Sequence, residues 1–208
     1  GRRARARYGG GVPDAGEESR IRAHVDTLAL DIGERNLWRY AALTRAAEYI
    51  EAQLAASGYS PTRQTYQVSR LPVSNIEVVL PGVAIPGEAI VVGAHYDTVS
   101  GSPGANDNGT GVAALLELAA RFAGRPLRRS IRFVAFVNEE PPFFQSAEMG
   151  SLVYASAARA RGDRIAGMLA LETMGYYSSE TGSQQYPAPE LSGLYPDIGN
   201  FIGFVANE

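Results

Sequence analysis

Three short apolar runs decide what this chain can fold into. Residues 89–94, 131–137 and 165–171 are rich in Val, Ile, Ala and Phe and lack the regular alternation of a strand with one wet face. Between them lie two segments of helical length: residues 109–122, carrying Val112, Leu115, Leu116, Ala119 and Phe122 on a helical repeat, and residues 149–161. Strands buried on both faces and separated by such helices specify an α/β fold, a mostly parallel twisted sheet with helices on both sides. Upstream, Ile21, Val25, Leu28 and Ile32 share one face of a helix predicted over residues 17–32. A second helix is predicted over residues 40–57, where Leu43, Ala47, Ile50 and Leu54 form a stripe and Gly58 supplies the stop. Residues 62–69 and 75–80 read as further strands, the first at an edge, with Pro72, Pro81 and Pro86 marking turns. Residues 178–197 read as loop and the apolar residues 200–206 as one more strand.

A chain of 208 residues, 45% of them hydrophobic, suffices for one domain with a core of its own. That domain is expected over residues 17–208, preceded by a disordered Arg- and Gly-rich arm over residues 1–16. The arm is basic but is not followed by the apolar stretch of a signal peptide, and no segment approaches the ~20 apolar residues that cross a bilayer. The compartment stays open between cytoplasm and export. With 19 basic against 22 acidic residues, the chain lacks the charge balance of a nucleic-acid binder. The absence of cysteine removes thiolate nucleophiles, iron–sulfur clusters and Cys-built zinc sites, so any metal must be held by His and carboxylates. Only His24 and His95 are available. His24, beside Ile21 and Val25, reads as a structural histidine of the first helix.

Ligands of open parallel sheets bind where the strands end at their carboxyl side, because the loops diverge there. After the three apolar runs come His95-Tyr96-Asp97, Asn138-Glu139-Glu140 and Glu172. A fourth contribution is the loop over residues 102–111, which puts Asp107 just ahead of a helix. Taken alone, Asp107 is an ordinary cap residue and each Glu a solvated charge. Ionisable groups at four successive elements are not explained that way. Carboxylates gathered on one edge raise one another's pKa unless a cation joins them, so the pattern points to one or two divalent metals. Asp97, two residues from His95, is placed either as a turn acid or to orient the imidazole from behind.

The segments over residues 92–97, 103–112 and 136–140, with Pro141-Pro142-Phe143-Phe144 and Met149-Gly150-Ser151 beyond them, resemble the co-catalytic di-zinc aminopeptidases, whose clan also holds the glutaminyl cyclases. The likeness covers roughly residues 20–208, and the downstream motifs resemble a bacterial branch. It implies a zinc exopeptidase fold and removal of N-terminal residues from peptides or proteins. By position, His95, Asp107 and Glu172 would hold the first zinc, Asp107 and Glu140 the second, and Glu139 would act as general base. The family usually has Asp where this chain has Glu172, and its second zinc takes a histidine well downstream, whereas no histidine follows His95. The resemblance therefore implies two zincs in a complete enzyme, one of them well held by this chain, which is expected to be incomplete at its C-terminus and weakly active alone. The alternatives are a glutaminyl cyclase-like acyltransferase with one zinc and a non-catalytic binding module of the same fold.

Overall fold

The computed structural model describes residues 15–186 and 188–206. Helix α1 (Ala15–Asp26) starts two residues inside the expected arm, whose first 14 residues lie outside the described ones. It runs on through a π-helical turn over Thr27–Ile32 and stops at Gly33, whose φ of 78° suits a residue without a Cβ. Helix α2 (Tyr40–Ala56) follows a 3-10 turn capped by Asn36, whose side chain accepts from the Trp38 and Arg39 N–H groups. Its predicted stripe of Leu43, Ala47, Ile50 and Leu54 is buried throughout.

Strands β1 (Thr62–Val68) and β2 (Leu71–Leu80) form an antiparallel hairpin. Pro72 and Pro86 were expected in turns. They lie instead in the opening residues of β2 and of β3 (Ile85–His95), where a strand tolerates a missing N–H. Helix α3 (Gly111–Phe122), β4 (Arg129–Phe136), α4 (Gly150–Arg161) and β5 (Arg164–Ala170) complete the alternation. The sheet order is β1-β2-β4-β3-β5, with β3 parallel to both β4 and β5 and β2 antiparallel to β4. Four strands thus point one way and β2 runs against them, the mostly parallel sheet that the sequence predicts.

Alternation within the central strands divides the core. Val92, Ala94, Phe133 and Ala135 pack with Leu43, Ile50, Leu115 and Leu116 of α2 and α3, while Val91, Val134 and Phe136 meet Tyr154 of α4 on the other face. Each fully buried Leu or Phe contributes roughly 1.5–3 kcal/mol, so this two-sided layer fixes β3 and β4 firmly.

Two expectations fail. Residues 165–171 read as a strand buried on both faces, yet every residue of β5 is exposed. Its strand neighbour is β3 alone, and an apolar run becomes buried only where other elements cover it. Residues 200–206 form no strand, because a strand requires a partner and this segment finds none among the described residues; Phe204 and Val205 stand almost fully in solvent. Among the described residues no helix is long and apolar enough to cross a membrane.

Candidate metal centre

The parallel strands deliver the candidate residues to one edge. His95 is the last residue of β3, held opposite Phe136 at the end of β4 and almost wholly buried. Past Phe136 the chain turns at Asn138, whose φ of 57° Asn tolerates better than most residues, and presents Glu139 and Glu140. Glu172 follows β5 by two residues. Asp107 comes from the loop over Ala105–Thr110, with the extended backbone angles φ −105° and ψ 101°.

These side chains face one another. His95 Nε2 lies 3.0 Å from Asp107 Oδ1, 3.4 Å from Glu172 Oε2 and 3.8 Å from Glu139 Oε2. One ligand atom each from His95, Asp107 and Glu140 fall within 4.8 Å of one another. Asp97 sits behind the ring, its Oδ1 3.5 Å from His95 Nδ1. Its carboxylate also accepts the backbone N–H of Glu139 at 3.0 Å and of Glu140 at 3.1 Å. Asp97 thereby ties the Glu139-Glu140 segment to the chain that leaves β3 and stands behind the imidazole.

Two residues that sequence reasoning passed over complete the frame. Asn108, wholly buried, donates to the Leu171 carbonyl at 2.9 Å and to Glu172 Oε2 at 3.2 Å, and its Oδ1 accepts the Gly111 N–H. The capping role available to Asp107 thus falls to its neighbour, which leaves the Asp107 carboxylate facing His95. An Asx residue three positions before a helical N–H was the available signal. Arg35, also wholly buried, binds carbonyls of the segments that carry His95 and Asp107. Nothing in the local sequence marks it.

The electrostatics are those of a crowded acid site. Burial disfavours the His95 imidazolium, but Asp97 and Glu172 outweigh burial and push its pKa up to about 11. Burial raises Asp107, with Glu172 adding to it and His95 opposing. Glu139 is raised by burial, against His95 and with Asp97, Glu172 and Glu140. Glu140 is raised by burial and by Asp107, again against His95. His24, by contrast, pairs with Tyr49 and Glu117 and joins none of these contacts.

The donor set suits zinc. One imidazole with several carboxylates and no thiolate is a recognised ligand combination for that ion, and Glu140 Oε1 is buried with no hydrogen-bond partner among the described residues. A buried carboxylate oxygen left without a donor is costly unless a cation completes it.

An imidazole and several acids gathered at the carboxyl edge of an α/β sheet form a candidate metal site. The sequence profile of peptidase family M28 matches residues 75–198, and the chain belongs to that family. The uncharacterised protein YfbL of Escherichia coli is 44% identical over 171 residues, 78% of this chain and 51% of that protein. The chain therefore spans about half the length of that relative. Among solved structures, a zinc aminopeptidase from Bacillus subtilis superposes with a TM-score of 0.68 at 15% identity, covering 81% of this chain and 74% of the other. The glutaminyl cyclase of Fimbriiglobus ruber gives 0.62 at 21% identity over 78% and 62%. Both likenesses are of fold.

Proposed function

We propose that the chain carries the active site of a zinc aminopeptidase, with peptide or protein N-termini as substrates. The observation that carries this reading is the convergence of His95, Asp107 and Glu140 within 4.8 Å, with Glu172 at 3.4 Å from the same imidazole. His95, Asp107 and Glu172 would hold one zinc, and Asp107 with Glu140 would supply carboxylates to a second. When bound, zinc polarises a scissile carbonyl and makes water a better nucleophile near neutral pH. Glu139 is the base: its carboxylate reaches the same crevice but stands farther from His95 Nε2 than those of Asp107 and Glu172, and burial holds its pKa above the ordinary carboxylate value. It takes a proton from the attacking water at a carboxylate oxygen and returns it to the leaving amine. Asp97 keeps the imidazole ring turned so that Nε2 faces the acids. A free substrate amine, as a cation, is drawn to an edge this rich in carboxylates.

The test is zinc analysis of the purified protein together with hydrolysis of aminoacyl anilides, of the same anilides acetylated at the amine, and cyclisation of a glutaminyl peptide. Zinc-dependent cleavage of the free amines alone is the expected result. Cyclisation without anilide cleavage would transfer the site to the cyclase reading, and absence of zinc binding would make the chain a non-catalytic module.

A further inference from the structure

Among the described residues Arg35 is the one buried arginine, and it lies beside the candidate metal centre without belonging to it. Its Nε donates to the Tyr96 carbonyl at 2.7 Å. One terminal nitrogen reaches the carbonyls of Pro103 at 2.7 Å, Leu28 at 3.1 Å and Gly33 at 3.2 Å, and the other reaches Gly104 at 3.0 Å. None of these acceptors is a carboxylate. The backbone of Arg35 is itself locked: its N–H donates to Thr98 Oγ1 and its carbonyl accepts the Thr98 N–H.

The chain positions of those acceptors give the arrangement its meaning. Tyr96 directly follows His95, and Pro103 and Gly104 open the loop that ends at Asp107. The Gly104 carbonyl also accepts the Gly109 N–H at 3.0 Å, closing that loop around Asp107. Gly104 has φ 59°, and a Cβ there would meet Thr98 Cγ2 at 2.3 Å and the Arg35 guanidinium at 3.2 Å, so the loop is drawn close to the arginine. The guanidinium is a rigid planar fork, unlike an ammonium on a flexible stem, and a fork can hold two chain segments at a set separation.

We infer that Arg35 is a positioning residue of the metal centre, whose guanidinium sets the distance between the His95 and Asp107 segments and so the geometry offered to zinc. The inference rests on the zinc reading of the site. It assigns to a residue outside the liganding set a share of the metal affinity. Replacing the fork leaves both ligands present but frees the segments that carry them.

Arg35→Lys keeps the charge without the fork, and Arg35→Met removes both. Zinc affinity is measured by competition with a chromophoric chelator, and the visible absorption of the cobalt-substituted protein reports ligand geometry independently of turnover. Arg132→Met, which breaks an ion-pair network with Glu77 and Asp163 on another part of the sheet, serves as a control for loss of stability alone. Both Arg35 variants are expected to bind zinc about 10–100-fold more weakly, the scale for loss of groups that orient ligands, and to give an altered cobalt spectrum. Arg132→Met is expected to leave affinity and spectrum unchanged. Should a variant unfold without metal, its zinc affinity is read from the zinc concentration that restores the fold, because binding and folding are linked. Wild-type affinity and spectrum in the Arg35 variants would overturn the inference, as would failure of both to fold at saturating zinc, which would make the role structural. Wild-type protein that binds no zinc would instead overturn the reading on which it rests.

Discussion

Two residues at the crevice divide the work in ways that substitution can separate. Glu139 Oε2 stands 3.8 Å from His95 Nε2, farther than Asp107 Oδ1 at 3.0 Å or Glu172 Oε2 at 3.4 Å. Glu139→Gln is therefore expected to retain zinc while turnover falls by a factor of order 10² or more, the scale of general acid–base help. Loss of zinc in parallel with activity would make Glu139 a ligand. Asp97 touches no proposed metal position; it holds the ring and two backbone amides. Asp97→Ala should weaken zinc binding by roughly 10–100-fold. Unchanged affinity would reduce Asp97 to a turn acid. The sequence made His95, Asp107, Glu139, Glu140 and Glu172 legible because each follows an apolar run or precedes a helix, a position that needs no knowledge of tertiary contacts. Arg35 was illegible for the opposite reason: its acceptors at Tyr96, Pro103 and Gly104 are 61 to 69 residues away, and no local pattern announces a buried guanidinium.

At the scale of elements, what the periodicity determined was identity, and what it could not determine was cover. The stripes of α2 and α3 are buried as their spacing requires, since 3.6-residue spacing states which face seeks a core. β5 has an equally apolar run but lies exposed, because burial belongs to whatever packs over a strand. Helix α1 adds a pH response. It docks on α3 through Arg20 and His24, both directed at Glu117, with His24 Nδ1 2.6 Å from the Tyr49 hydroxyl of α2. Burial lowers the His24 pKa from 6.5 despite the pull of Glu117. The unfolded chain thus takes up this proton first as pH falls, so the stabilisation is present above about 6.5 and is lost below it. In denaturant unfolding from about pH 7 down to about pH 5, the wild type should show a loss of stability relative to His24→Gln. An identical slope in the variant would dismiss His24 as its source. A packing test lies just past the carboxyl end of β4. A Cβ on Gly150, at the start of α4, would come within 2.3 Å of the Val137 carbonyl and 2.4 Å of Asn75 Oδ1. Gly150→Ala is expected to cost roughly 1–3 kcal/mol by overpacking, and a change within a few tenths of zero would show that α4 yields freely.

Across the whole molecule, charge is arranged unequally between the two ends of the parallel strands. At the amino ends the single carboxylate of Glu88 pairs with both Arg129 and Arg164, so that cluster carries net positive charge. At the carboxyl ends Asp97, Asp107, Glu139, Glu140 and Glu172 surround one imidazole, with the Arg35 charge directed at main-chain carbonyls behind them. The fold therefore carries an acidic edge that a divalent cation would relieve, and cation binding should appear as stability of the entire domain. His95 is the one imidazole at that edge, and a second cation would meet carboxylates alone, a donor set that suits harder ions better than zinc. One firmly held zinc per chain is the expected stoichiometry after dialysis against a mild chelator. A ligand that binds only the folded state at a hundred times its Kd adds about 2.7 kcal/mol. For a domain of this size that is a rise in Tm of roughly 5–10 °C. The measurement is thermal unfolding of the chain with zinc, with magnesium and with a strong chelator, alongside His95→Ala. Zinc should raise Tm, the chelator should reverse it, and the variant should lose the response, since removing the imidazole leaves only oxygen ligands. A rise that persists undiminished in His95→Ala would place the stabilising zinc elsewhere in the molecule, and equal midpoints with zinc and chelator would separate the acidic edge from metal binding altogether.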